Sequence, residues 1–237
     1  MTATVQPREH PGPHPMMHRY SGLKALTLGL CLTVLSTLAV HFIYAIWPWP
    51  NTYRGAGPLR EAAIAERARV EHIADTKSIE LIGSTIVWTY RITIEWTGLD
   101  GFMHSSMEPP NEESPEDIAR RMATGTHDMV EIFYWSVQLI GLRLGVLFAS
   151  LPLILVSAIA GAIDGSATWY VRRTSVGRET GFLYHRAKFG LWIAIFSLWG
   201  LYLIPPIALD PRIIIPPFIV IFTLAVRFSV SWFKKYI

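Results

Sequence analysis

The chain has 237 residues, of which 51% are hydrophobic and 12% aromatic, and a formal charge of +3. Together with a mean hydropathy of +0.32, apolar runs of about twenty residues exclude an ordinary soluble domain and make a membrane protein the leading class. A single cysteine, Cys31, excludes an intramolecular disulfide, a Cys-rich metal site and a Cys-x-x-Cys redox motif.

Residues 1–22 interleave Pro7, Pro11, Pro13 and Pro15 with His10, His14 and His18. Such a segment buries too little apolar area to order itself and reads as a flexible tail. The histidines would share a metal-binding face on a helix, but the prolines forbid that helix, so no metal site is expected. Arg8, Arg19 and Lys24 precede the first apolar run and place the N-terminus inside the cell. That run, 23–47, is too long for a cleaved signal and reads as an uncleaved first span. Thr33, Thr37 and His41 fall on one helix face, and a polar stripe in lipid is costly, so this face is expected to look into a helix bundle. His41 is read as a histidine that finds a hydrogen-bond partner, not as a proton relay. Trp47 and Trp49 sit where an interfacial aromatic belt would be, and Pro48 and Pro50 stop the helix.

Residues 48–128 are polar and predominantly acidic, as expected of a translocated periplasmic segment. Pro58 at a first helical position, followed by Ile64, Ala68 and Ile73, predicts a surface helix to about Asp75. Across residues 86–96, β-branched and aromatic side chains alternate with polar ones in the pattern of a strand. No second alternating run is available to pair with it, so a helix near the outer membrane surface is expected instead. Glu80, Arg91 and Glu95 argue against a span there. Pro109-Pro110-Asn111 marks a loop, and Ser114-Pro115-Glu116-Asp117 reads as a capped helix start. Gly125-Thr126 is expected to interrupt that helix, with Thr126 capping a long helix that carries a second span within 129–163.

On this long helix Gly141, Gly145 and Ala149 share a face, and so do Ser157, Gly161 and Gly165. Small residues four apart admit another helix backbone at close range. Arg143 is expected to snorkel to the surface or to pair with Asp210. Residues 164–188 form a basic loop in which Arg172, Arg173, Arg178, Arg186 and Lys188 face only Asp164 and Glu179. Such a loop stays cytoplasmic and orients the remainder of the chain. Spans at 189–209 and 213–233 follow, joined by a periplasmic turn at 210–212 into a hairpin. Pro205-Pro206 and Pro216-Pro217 are expected to kink them. Arg227, Lys234 and Lys235 keep the C-terminus, 234–237, inside. The fold class is therefore an all-α membrane protein with four spans, both ends cytoplasmic, and a mainly helical extracytoplasmic segment between spans one and two.

The chain lacks Gly-x-Ser-x-Gly, Gly-x-x-x-x-Gly-Lys-Ser/Thr and His-Glu-x-x-His motifs. Gly177-Arg178-Glu179 and Tyr184-His185-Arg186 are the most site-like groups, and a structural role accounts for them. Gly177 ends one element, Glu179 caps the next, and Arg186 and Lys188 anchor a span in anionic headgroups. No catalytic residue, cofactor or metal is expected. The partner-facing candidates are Arg172, Arg173, Arg178, Glu179, Tyr184, His185 and Arg186.

The run from Asp164-Gly165 through Arg172-Arg173 to Gly177-Arg178-Glu179-Thr180-Gly181-Phe182-Leu183-Tyr184-His185-Arg186-Ala187-Lys188 resembles the signature of the integrating conjugative element membrane proteins. These are inner-membrane proteins of unassigned function found among conjugative type IV secretion genes near the coupling ATPase. The resemblance implies a non-enzymatic scaffold of the DNA-transfer machinery that contacts that ATPase or the secretion channel through the basic loop. Membrane lipid is a certain partner and a homo-oligomer stays open. Five basic residues in the loop without a stacking platform argue against direct nucleic-acid binding. The competing reading is a small transporter or channel with a polar pathway along Thr33, Thr37 and His41. Internal repeats and ionisable residues at mid-membrane depth, which would mark a transporter, are not found in the sequence.

Overall fold

The computed structural model describes residues 15–47, 54–101, 117–174 and 181–232, with backbone alone at 15–23, 25, 26, 30, 117–126, 181–188, 191 and 192. The histidines at 10 and 14, the Pro109-Pro110-Asn111 loop, Arg178, Glu179, Lys234 and Lys235 lie outside the described residues. The architecture is all-α: α1 (Pro15–Ile46), α2 (Gly57–Ile73), α3 (Thr76–Tyr90, continued as a π-helical turn over Arg91–Glu95), α4 (Asp117–Thr174), α5 (Gly181–Leu203) and α6 (Pro211–Ser231). Among the described residues three stretches are long and apolar enough to cross a bilayer, Thr27–Ile46, His127–Thr174 and Pro211–Ser231. In α5 the apolar part with described side chains is Ile193–Leu203.

Helix α4 is the axis of the molecule. Its half toward Thr174 runs parallel to α6: Gly161 lies against the backbone of Thr223, and Gly165 against that of Arg227. A Cβ on either glycine would come within 2.6 Å of a carbonyl oxygen of α6, so only glycine admits this separation. Toward the other end, Gly141 meets Ile86 and Gly145 meets Ile82 in the same way, with the Cα of Ile82 2.8 Å from a Cβ on Gly145. The two stripes of small residues therefore receive two different helices of this chain. Of the other small residues, Ala149 borders a groove beside Ile215, and the Ser157 hydroxyl donates to the Ile154 carbonyl at 2.7 Å.

Residues 86–96 are helical despite their alternating pattern. The hydroxyls of Thr85, Thr89, Thr93 and Thr97 each donate to the carbonyl four residues back, and the glycines of α4 let the β-branched face approach. Side chains four apart drift around a 3.6-residue helix; the wider π turn offsets the drift and keeps Ile94 on the face of Ile82. Ile94 packs with Val130 and Val137 of α4.

Helix α2 corrects an expected face. Ile64 is 53% exposed and Ile73 also points outward, whereas Leu59, Ala62, Ala63, Glu66 and Val70 are buried. The alanines let α2 close on Ile132 and Leu139 of α4 and on Ala45 of α1. A face that carries a glutamate is the inner one because a cation meets it there.

Helix α4 also runs beyond its expected bounds, continuing through Gly125-Thr126 at one end and over 164–174 at the other. At the second end, Ser166 and Thr168 turn their hydroxyls onto the carbonyls of Ala162 and Asp164, and α6 supplies a packing surface. The basic segment is therefore helical at both ends, since α5 begins at Gly181. Pro205-Pro206 terminates α5 instead of kinking it: residues 204–210 are non-helical, and α6 starts at Pro211 with Asp210 as its N-cap accepting from the Arg212 amide at 2.9 Å. Pro216-Pro217 lies inside α6.

Candidate functional site

Among the described residues the largest wholly buried side chain is Arg143, placed where α4 passes the α5–α6 connection. Its Nη2 donates to Glu66 Oε2 at 2.9 Å, and its Nε to both Glu66 oxygens at 3.2 Å. The Nη1 group donates to the carbonyls of Leu203 at 3.0 Å and Pro205 at 2.6 Å, while Nη2 also reaches the Ile207 carbonyl at 2.6 Å. The Leu209 amide donates to Glu66 Oε2 at 3.2 Å. Glu66 is itself wholly buried.

The cause lies in the prolines. A connection through Pro205-Pro206 leaves carbonyls without helical donors, and away from water each such carbonyl is costly. A guanidinium offers donors on all three nitrogens in one plane and satisfies several carbonyls together. Glu66 then neutralises the charge. This arrangement overturns the expectation that Arg143 snorkels or pairs with Asp210. Nothing in the neighbourhood of Glu66 in the sequence singles it out; the signal was the conjunction of a mid-helix arginine with a Pro-Pro carbonyl surplus. Chemically the hub is a staple joining α2, α4 and the 204–210 connection, with its polar groups spent on one another.

Around the hub, the Tyr202 ring lies 5.6 Å from the Arg143 guanidinium carbon, and Thr37, His41 and Tyr202 are wholly buried. The polar stripe of α1 thus faces the bundle. Its threonines are satisfied locally: Thr37 donates to the Thr33 carbonyl and Thr33 to the Gly29 carbonyl, both at 2.8 Å. The two ring nitrogens of His41 and the Tyr202 hydroxyl meet no hydrogen-bond partner among the described residues.

At the opposite end of the bundle the basic residues engage aromatic rings. Arg172 stacks 3.8 Å over the Trp232 ring and donates to the Ser231 carbonyl at 2.5 Å. Arg173 lies 5.4 Å over Trp169 and is exposed. Asp164 and Arg227 form an ion pair between α4 and α6. Of the partner-facing candidates, Arg172 is turned toward α6 and Arg173 toward the surface. Arg178 and Glu179 are outside the described residues, and Tyr184, His185 and Arg186 sit in the first turns of α5, where the backbone alone is described. Among the described residues no group of three or more His, Cys, Asp or Glu is placed to hold a metal ion.

No curated protein and no solved structure matches the chain. Residues 54–234 match the family described as IncC plasmid conjugative DNA transfer protein DtrJ-like. The matched region takes in α2 to α6, hence both members of the Arg143–Glu66 hub and the basic segment. It agrees with the conjugative-element resemblance carried by Asp164-Gly165 through Lys188. With this match and several long apolar helices around a buried staple, the chain belongs to the DtrJ-like family of conjugative-transfer membrane proteins and is a multi-pass protein of the inner membrane.

Proposed function

We propose that the chain is a non-catalytic scaffold of a conjugative type IV secretion apparatus, crossing the membrane four times with both ends cytoplasmic. In this reading the basic end of the bundle docks on the coupling ATPase or the secretion channel. The observation that carries it is the family match over residues 54–234. The geometry supports it in two ways. The buried polar groups at Arg143 and Glu66 are spent on holding helices together. The cations at Arg172 and Arg173 gather at one end of α4, where basic residues remain cytoplasmic.

Affinity capture of the full-length chain from donor cells, with mass-spectrometric identification of what is retained, tests the proposal. Recovery of the coupling ATPase or a channel subunit is expected, and recovery of neither overturns the docking role. Reporter fusions after residues 50, 176, 210 and 237 test the topology; a periplasmic signal at 176 or 237 overturns the four-span arrangement. The second reading, a polar pathway along α1, draws on the burial of Thr37 and His41. It requires transfer to fail in His41→Leu while the captured partners stay the same.

A further inference from the structure

Where the corner between α2 and α3 meets α4 and the first turns of α6, the surface opens into a groove of about 270 Å³. Ile73, Ala74 and Ile82 line it from the corner, Val146 and Ala149 from α4, and Ile215 from α6. Ser150 contributes little polarity, because its hydroxyl donates to the Val146 carbonyl at 2.8 Å. Val146, Ala149 and Ile215 belong to helices apolar enough to cross a membrane, and Arg143 and Asp210 bound those apolar stretches nearby. The groove therefore sits at a hydrocarbon border, where its surroundings are lipid tails and headgroups and not water.

Its rim is polar in a particular way. Arg212 lines the groove, is exposed, and forms no ion pair among the described residues. Pro216, also in the lining, carries no amide hydrogen, so the carbonyl of Arg212 lacks its i+4 donor in α6. Across the groove, Ser78 is part of the wall and the exposed Asp75 and Lys77 flank it at the start of α3. Asp210 faces the Arg212 amide. Arg69 stands near the same rim, donating to the Ala208 carbonyl at 3.2 Å, so both signs are present around the groove: Asp75 and Asp210 among Lys77, Arg69 and Arg212. What it offers is a guanidinium for a phosphate and, beside it, acceptors for a cationic donor.

We propose that the groove is a binding site for one aminophospholipid, an acyl chain in the apolar trough and a zwitterionic phosphate–ammonium head on the rim. Arg212 takes the phosphate. The Arg212 carbonyl freed by Pro216, together with Asp75, takes the ammonium. The lipid is then the element that satisfies the first turn of α6, as Arg143 satisfies the end of α5.

The full-length protein, reconstituted in nanodiscs of equal parts phosphatidylethanolamine and phosphatidylglycerol and released into detergent, is examined by native mass spectrometry. One phosphatidylethanolamine is expected to remain per chain, in clear excess over phosphatidylglycerol. Arg212→Ala should lower its retention about tenfold, the weight of one charge-assisted contact. Ala149→Phe, which fills the trough and leaves the rim intact, should eject it as well. Because residue 212 is exposed, the first variant keeps the test valid if the second fails to fold. Retention of both lipids in the proportions supplied, retention of neither, or unchanged retention in Arg212→Ala each overturns the proposal.

Discussion

Arg143 Nη2 and Glu66 Oε2 lie 2.9 Å apart with both side chains at zero exposure, although 77 residues separate them in the chain. Removing one partner strands the other as a buried charge, which costs about 3–5 kcal/mol. Arg143→Leu and Glu66→Leu are both expected to lose stability on that scale, measured by unfolding in detergent. The double variant should recover only part of the loss. The carbonyls of Leu203, Pro205 and Ile207 then still lack their donor, and each unmet buried group costs about 1–3 kcal/mol. Full recovery in the double variant would show that the pair matters only as charge, not as a staple for the prolines' carbonyls.

Two glycine-to-alanine changes should act in opposite directions. Gly145→Ala drives a methyl to 2.8 Å from the Ile82 Cα and forces α3 away from α4, an overpacking cost of about 1–3 kcal/mol. Gly83 lies inside α3 with nothing within 4 Å of its would-be Cβ. Gly83→Ala should therefore raise stability by roughly 0.5–1 kcal/mol through helix propensity. Thermal midpoints of the two variants, measured side by side, decide the matter.

The neighbouring arginines at the end of α4 should separate in their effects. Arg172→Ala loses its stack on Trp232 and its bond to the Ser231 carbonyl, so it should lower stability and shorten the protein's lifetime in the membrane. Arg173→Glu changes an exposed charge and should leave stability intact while reducing mating frequency. Reversing both charges is expected to abolish transfer with insertion retained. Normal mating in Arg173→Glu would remove this residue from the docking surface.

Alkaline titration offers a local probe outside the spans. The Tyr90 hydroxyl donates to Asp100 Oδ1 at 2.9 Å, and burial followed by this carboxylate pushes its pKa up to about 12. The fold thus favours the neutral phenol. That contribution is complete below the ordinary tyrosine value of about 10 and is lost as pH rises through about 12. Tyr90→Phe should show a flatter decline of thermal midpoint over this window than the wild type.

Three long apolar helices and the close approach at Gly141, Gly145 and Gly161 were legible because each depends on a local property: apolar length or side-chain size. The α2 face was not. Ile64 outranks Glu66 on any hydropathy scale, and only the cation on a helix distant in sequence inverts their order. Residues 86–96 alternate like a strand, yet the want of a second alternating run to pair with pointed to the helix that is found, which presses against Gly141 and Gly145. Arg143 required knowing that Pro205-Pro206 would end a helix and not bend one. Each miss is a case where a distant partner, absent from any local window, determined the local outcome.

Helix α4 is unbroken over 58 residues, a length of about 87 Å. It carries the Arg173 end and the Ile94-packing end on one continuous lever, with Pro152 as the one proline inside it. A displacement at one end of this helix would be carried to the helices packed at its other end, with Pro152 the point at which it could bend.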